Sequence, residues 1–337
     1  MKEPIDPRPW ERAVEGGPLR FAIVGVGQFA RNYILPAVER TAHCRAPVLV
    51  SPEEDTPADS DRTLLQPEAF HDGVASDGYD AVYIATPNHR HESIAESAAS
   101  MGKPVLCEKP LAATAAGARR IRETVSAADV ALMVGYRVQF KPVMRAVRNA
   151  VQDGLVGAPV HAHSGVSFRI GRQDTEKKWR LDTETGGGAL RDIGIYPINT
   201  LRFLLDQSLS ASWADLRTVS GLGDVDVHAA FALEGDDGFV GLCDASFASE
   251  PTSHLRITGT EGMVVIDEPY HPSAQPEVTV VADGTAETIV PDGYDEYAGE
   301  LDYFAQCVLR GEPPEPDVEE GITDLDVIES IERLDGQ

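Results

Sequence analysis

The sequence predicts a two-domain protein of α/β plus α+β class, with a doubly wound parallel sheet in residues 1–153 and a mostly antiparallel open sheet in residues 154–337. Three observations carry this reading. A chain of 337 residues exceeds the size at which one hydrophobic core usually stops growing. In the first half, short β-rich runs alternate with helical stretches, as in parallel strands joined by crossover helices. After Gly154–Pro159, strand-like runs follow one another directly, which suits antiparallel pairing.

In the first half the predicted strands are Leu19–Val24, Ala46–Val50, Ala81–Ala85, Pro104–Cys107 and Val130–Val134. Helical patterns lie at Phe29–Thr41, His89–Met101, Ala115–Ala127 and Pro142–Gln152. Pro36 should kink or shorten the first of these, because proline has no amide N–H to donate. In the second half, strands are expected at His161–Phe168, Val225–Leu233, Phe239–Phe247, Leu255–Thr258, Met263–Ile266 and Val278–Val281. One helix, Ile198–Leu205, interrupts them, and two more, Tyr294–Leu309 and Val318–Leu334, close the chain across a break at Gly311–Pro316. Asp55–Asp61 reads as loop.

Charge and composition narrow the functional classes. With 55 acidic residues against 29 basic ones, the formal net charge of -26 repels nucleic acid. Lysine is confined to Lys2, Lys103, Lys109, Lys141, Lys177 and Lys178, and a Lys-poor acidic surface points to a high-salt interior where counterions screen self-repulsion; an ordinary acidic protein is the alternative. No apolar run approaches the roughly 20 residues that span a bilayer, so no membrane partner is expected. Met1–Pro18 is polar, without the apolar core of a signal peptide, which predicts a cytoplasmic protein. Cys44, Cys107, Cys243 and Cys307 are widely spaced, so reduced thiols and no metal site are expected.

The first motif with chemical content is Gly25-Val26-Gly27-Gln28-Phe29-Ala30, which follows a predicted strand and opens a predicted helix. Gly25 allows a tight turn, Gly27 lets backbone approach a pyrophosphate, and Ala30 permits close helix packing, with the pyrophosphate over free N–H groups at the helix start. This predicts a Rossmann dinucleotide-binding domain, with a merely structural strand-helix turn as the alternative. Ser51, at the end of the second strand, faces the adenosine ribose and suits either a 2′-hydroxyl or a 2′-phosphate; Glu53 and Glu54 repel a phosphate unless turned outward. NADP and NAD both stay open, and Arg31 is either a distant phosphate partner or a surface charge.

Thr86-Pro87-Asn88 and His91 stand at the end of a strand and the start of a helix, where open parallel sheets bind ligands. Asn88 and His91 either line the cofactor or form a helix-initiating turn with Asn88 as N-cap. Glu108-Lys109-Pro110 ends the next strand. There an ammonium can polarise a substrate oxygen and lower the pKa of its hydroxyl, and Pro110 suits a cis bond. In the second half, Trp179-Arg180-Leu181 leads through Gly186-Gly187-Gly188 to Asp192 and Tyr196. The glycines either admit a planar ligand such as nicotinamide or act as a hinge. If the segment is helical, Asp192 and Tyr196 share one face, with Asn199 about a turn beyond. Pro197 then kinks the helix or lies in its first turn. Asp192 is equally a capping or ion-paired carboxylate and a catalytic one.

The ordered set GxGxxA, TPNxxH, EKP and GGGxxxDxGxYP resembles the Gfo/Idh/MocA family nearly end to end. It is most similar to the glucose-fructose oxidoreductase branch and its haloarchaeal D-xylose dehydrogenases, through residues 179–182 and 192–197. The resemblance implies an NAD(P)-dependent dehydrogenase that oxidises an aldose such as D-xylose at the anomeric hydroxyl to a lactone. Its implied catalytic set is Lys109, Asp192 and Tyr196: Tyr196 takes the hydroxyl proton, Lys109 lowers that hydroxyl's pKa and holds its oxygen, and Asp192 orients the sugar. Cofactor-side positions implied are Gly25, Gly27, Gln28, Phe29, Ser51, Thr86, Pro87, Asn88, His91, Glu108 and Lys109, with Arg137, Trp179 and Arg180 lining the cleft. The second domain is implied to bind the sugar and to pair in a homo-oligomer, a dimer or tetramer.

The chain departs from the family at two places. Residues 51–79 look short for a βαβ unit and lose a helix, which bears on adenosine binding, and Arg191 stands beside Asp192 where an apolar residue is usual. Two other activities fit the same scaffold. One is a lyase, epimerase or glycosidase that recycles its nicotinamide; the other is a non-catalytic cofactor-binding regulator.

Overall fold

The computed structural model describes residues 5–12, 14–52, 61–171, 175–272, 274, 276–290 and 293–335. Glu53, Glu54 and all of the expected 55–61 loop except Asp61 lie outside the described residues. The chain divides into two compact units: Arg8–Arg137 with Asp295–Thr323, and Met1–Pro7 with Val138–Tyr294 and Asp324–Gln337. A single cut at residue 153 is therefore replaced by a cut after Arg137 and a return of the chain at Asp295. The change of strand rhythm misplaced the boundary because the helix before it belongs by packing to the second unit.

In the first unit, β1 (Leu19–Val24), β2 (Cys44–Val50), β3 (Thr63–Leu65), β4 (Ala81–Ile84), β5 (Val105–Glu108) and β6 (Leu132–Gly135) form a six-stranded sheet in the order β3-β2-β1-β4-β5-β6. Every pairing is parallel, and Ile23 stands opposite Leu49 on one side and Tyr83 on the other. All four residues of β4 and of β6 are buried, as befits strands covered on both faces. A fully buried Ile or Leu there contributes roughly 1.5–3 kcal/mol.

The first crossover begins as a π-helical stretch, Ala30–Ile34, and continues as α1, Leu35–Arg40, with Pro36 in its first turn, where the missing N–H costs nothing. Among its described residues the 51–79 segment has a parallel edge strand and a short helix, α2 (Pro67–His71). Two longer helices follow, α3 (His91–Ser100) and α4 (Ala115–Ala127). Thr114 caps α4 by accepting from Gly117 N at 3.1 Å.

The second unit begins with α5 (Pro142–Gln152), whose buried Met144, Val147 and Val151 meet the helix α6 (Ile195–Leu205). Its eight strands are β7 (Pro159–Ser167), β8 (Ser210–Arg217), β9 (His228–Glu234), β10 (Val240–Ser246), β11 (Thr252–Gly259), β12 (Gly262–Asp267), β13 (Glu277–Ala282) and β14 (Thr285–Ile289). They run in the order β14-β13-β12-β11-β7-β10-β9-β8, antiparallel except for β7 with β10. Burial alternates along β10 and β11, so one face is covered and the other open. α6 covers the buried face through Ile195, Ile198 and Leu201. The last helices are α7 (Glu296–Arg310), in the first unit, and α8 (Val318–Leu334).

Three strands escaped sequence reading, the three-residue β3 in the first sheet and two in the second. β8 and β14 are the sheet's edges, and β14 is exposed at every residue, so neither carries a clear alternation. All four cysteines are buried free thiols, and burial pushes the Cys44, Cys107 and Cys243 thiols up, leaving them unreactive. Among the described residues no helix is long and apolar enough to cross a membrane.

Candidate active site

In the first unit the glycine turn lies between β1 and the helix at Ala30. Gly25 has φ 95°, and a Cβ there would fall 2.6 Å from the Ala85 carbonyl oxygen and 2.8 Å from Thr86 Cγ2, so only glycine fits. At Gly27 a Cβ would meet nothing within 4 Å, which leaves open space over the helix start. Gln28 is exposed, Ala30 is buried, and the half-buried Phe29 packs on Tyr33 and Tyr297 at 5.7 Å each. Arg31 Nε donates to the Val26 carbonyl at 2.9 Å, so Arg31 braces its own turn. Thr86 Oγ1 is buried beside this turn with no hydrogen-bond partner, a group that a ligand or water satisfies. Open space at Gly27, helix N–H groups and this orphaned hydroxyl together fit a dinucleotide pyrophosphate. Ser51 is 2% exposed, and its N–H donates to Leu65 at 3.1 Å, tying the end of β2 to β3.

His91, read as either lining the cofactor or belonging to a helix-initiating turn, is fully buried. Its Nδ1 lies 3.1 Å from the Pro110 carbonyl and its Nε2 2.9 Å from the Thr86 carbonyl. Burial lowers its pKa. It braces the turns after β4 and β5, including the cis bond between Lys109 and Pro110. Asn88 is 3% exposed and opens a short 3₁₀ turn whose cap position is the half-buried Pro87, so Asn88 is not the N-cap.

Beyond β5 and β6 lies a buried charge cluster. Tyr83 donates to Glu108 Oε1 at 2.6 Å, and Arg137 Nη1 pairs with Glu296 Oε1 at 3.1 Å while its guanidinium lies over the Tyr297 ring. Arg137, read from the sequence as a cleft-lining group, is 5% exposed and makes this ion pair. Glu300, one turn after Glu296 on α7, is 0% exposed, and neither carboxyl oxygen has a hydrogen-bond partner. Burial first, and the neighbouring Glu108 second, push its pKa well above the carboxylate range; burial also raises that of Glu108, against the pull of Tyr83, Lys109 and Arg137. Glu300 therefore holds its proton more tightly than an exposed carboxylate does.

The sign of its linkage follows. The folded state holds this proton more tightly than the unfolded chain, so stability falls as pH rises from the ordinary carboxylate pKa towards the raised one. Glu300→Gln keeps the shape without the proton and is expected to flatten that fall, which amounts to about 1.4 kcal/mol per pH unit. Urea midpoints at pH 5 and pH 8 check this, and an equal fall in both proteins refutes it.

In the second unit, the half-buried Trp179 and Arg180 lie near Asp192. Arg180 Nε donates to Asp192 Oδ2 at 2.6 Å, and the guanidinium stacks on Trp179 at 4.5 Å. Asp192, 3% exposed, sits in a π-helical stretch, Leu190–Gly194, that runs into α6, with Tyr196 in the first turn and Pro197 directly after it. Pro197 thus lies in the first turn of α6.

The glycine run is explained within the chain. A Cβ at Gly187 would fall 2.5 Å from the Arg180 carbonyl oxygen, and one at Gly188, φ 118°, would collide with the Asp226 carboxylate. Asp226 accepts from Leu190 N at 2.7 Å, and burial raises its pKa to about 6. The run therefore seats Arg180 and Asp226 around the Asp192 helix, where a nicotinamide contact or a hinge was expected. Asn199 is also taken up internally, between Gln139 at 3.0 Å and Asp324 at 2.8 Å, and Arg191 pairs with Glu332 at 2.6 Å.

The expected site residues thus fall into two groups: Gly25 to Arg137, with Lys109, in the first unit, and Trp179, Arg180, Asp192 and Tyr196 in the second. Sequence reading missed Asp226, Glu296 and Glu300. For the last two a signal existed, since carboxylates four apart flank the apolar Tyr297 and Leu301 on one helix.

Residues 19–136 match the oxidoreductase family with an NAD-binding Rossmann fold, and residues 144–265 match the GFO/IDH/MocA C-terminal domain. The chain is 37% identical to D-xylose 1-dehydrogenase [NADP(+)] of Haloarcula marismortui, over 97% of this chain and 94% of that protein. It is 30% identical to D-xylose 1-dehydrogenase (NADP(+)) 2 of Haloferax volcanii, over 93% and 96%. Its fold is similar to the crystal structure of aldose-aldose oxidoreductase from Caulobacter crescentus complexed with glycerol, with TM-score 0.86 and 30% identity over 94% of this chain and 97% of that one.

Proposed function

The chain belongs to the Gfo/Idh/MocA family of oxidoreductases, and on that footing we propose that it is an NADP-dependent dehydrogenase oxidising an aldose, D-xylose first among them, at its anomeric hydroxyl. The observation that carries the reading is the ordered site motif set on this fold, together with full-length similarity to two NADP-dependent D-xylose 1-dehydrogenases. When bound, NADP supplies the acceptor for the hydride that leaves the anomeric carbon. The Gly25–Ala30 turn holds its pyrophosphate, with Thr86 and Ser51 alongside. Tyr196 receives the hydroxyl proton, and Lys109 stabilises the negative charge that develops on the sugar oxygen. Asp192, fixed by Arg180, orients the sugar. The product is a lactone.

The enzyme acts in the cytoplasm as a homo-oligomer. What supports oligomerisation is the open sheet face: Trp213, 53% exposed, and Leu242, 48% exposed, stand in one cross-strand row with His163 and Arg256.

The test is absorbance at the reduced-nicotinamide band in molar KCl, with NADP and then NAD, against an aldose panel led by D-xylose. Wild type is expected to reduce NADP, and Lys109→Ala to lose about 10²–10³-fold in kcat. Folded wild type that reduces neither cofactor, yet converts one aldose at the expense of another, would move the assignment to cofactor recycling.

A further inference from the structure

One buried aromatic in the second unit has no part in the mechanism above. Tyr270, in the segment after β12, is 3% exposed, and its ring lies against that of Tyr196, with centroids 5.6 Å apart and planes 22° apart. Its hydroxyl is 2.7 Å from Ser164 Oγ on β7. Ser164 donates its own proton to the His254 carbonyl at 3.2 Å, so Tyr270 is the donor in that pair. The same hydroxyl is hydrogen-bonded with Thr200, which stands one helical turn after Tyr196 on α6. Tyr270 therefore grips one face of α6 at two points, with its ring on Tyr196 and its hydroxyl at Thr200.

The segment that presents Tyr270 is itself tied down. Tyr270 N–H donates to Ser253 Oγ at 3.3 Å, and Ser253 Oγ donates to Glu268 Oε2 at 3.1 Å. From beneath, the ammonium of Lys141, a lysine only 3% exposed, donates to the His271 carbonyl at 3.0 Å and to that of Ala274 at 3.3 Å. A phenylalanine would fill the space of Tyr270. The hydroxyl adds direction, since its two partners fix the plane of the ring.

We propose that Tyr270 is a positioning residue for the reaction, holding the Tyr196 phenol in the orientation in which it receives the substrate proton. The inference rests on the role given to Tyr196 above. Tyr196 is half-buried at the start of α6, directly after a π-helical turn, so its ring gains rigidity from the stack in addition to the helix. Proton transfer is sensitive to such placement, because a displacement of about 1 Å costs up to about 100-fold in rate.

The experiment compares kcat, KM and the pH dependence of kcat for Tyr270→Leu, Tyr270→Phe, Tyr196→Phe and the double variant Tyr196→Phe/Tyr270→Leu, each checked for folding by its thermal midpoint. Tyr270→Leu is expected to lower kcat about 10–100-fold at unchanged KM for NADP, and to move the pH limb that disappears in Tyr196→Phe. Tyr270→Phe keeps the stack and is expected to lose only about threefold while moving the same limb. In the Tyr196→Phe background, Tyr270→Leu is expected to add nothing, because a residue that acts through another has no effect once that partner is gone.

Equal losses in both backgrounds, or a wild-type kcat for folded Tyr270→Leu, overturn the proposal while leaving Tyr196 in place. Wild-type kcat in Tyr196→Phe alone overturns the catalytic reading beneath it, and the single variants separate these two failures. If Tyr270→Leu does not fold, Tyr270→Phe decides the matter by whether the pH limb moves.

Discussion

Tyr196→Phe is expected to lower kcat for aldose oxidation by roughly 10²–10⁴-fold, the range associated with removing a positioned proton-transfer group. The phenylalanine ring still stacks on Tyr270, and the substitution leaves α6 and the Arg180–Asp192 pair untouched, so folding and NADP affinity should hold. Steady-state kinetics combined with NADP binding by fluorescence separate the two quantities. A kcat within tenfold of wild type would move the proton-accepting role elsewhere. On the proposed role the lost hydroxyl acts in the transition state, so kcat and kcat/KM are expected to fall together.

Arg137→Met is expected to destabilise the protein by about 3–5 kcal/mol, the cost of leaving a buried carboxylate without its partner. Arg137 and Glu296 have side chains only 6% and 1% exposed, so solvent and salt screen the pair little. Glu108 and Glu300 lie in the same cluster and lose the same compensating charge. Chemical denaturation measures the loss. The double variant Arg137→Met/Glu296→Met should recover part of it, because Glu296 is no longer orphaned while Glu108 still lacks the Arg137 charge. An Arg137→Met protein as stable as wild type would refute this cost of orphaning Glu296.

The parallel sheet was legible because β1, β2, β4, β5 and β6 are buried and read as short apolar runs bounded by turns. β3 has three residues and β14 has no buried one, and neither length nor alternation marks such strands. Gly25 was readable from the local glycine pattern between β1 and its helix, although the clash that demands glycine comes from Ala85 and Thr86 beyond β4, 60 residues on. Gly187 and Gly188 were recognised as special, with a planar ligand or a hinge as the reason. Their neighbours are Arg180 and Asp226, and Asp226, 38 residues beyond Gly188, has no local pattern linking it to that turn. His91 and Arg137 were noticed for their chemistry, but their burial depends on Pro110 and Glu296, which the fold alone brings near.

Each unit holds a helix that starts with a π turn and meets a proline directly afterwards: Ala30–Ile34 before Pro36, and Leu190–Gly194 before Pro197. A π turn is a helix with one residue too many, and such turns concentrate at functional sites. Both helices are therefore intolerant of a change in length. Removing one residue from Leu190–Gly194 would turn Asp192 by about 100° relative to Tyr196 and push Pro197 into a position where an amide proton is needed. Loops absorb insertions and deletions easily, whereas these two stretches should keep their residue count even where their residue types drift.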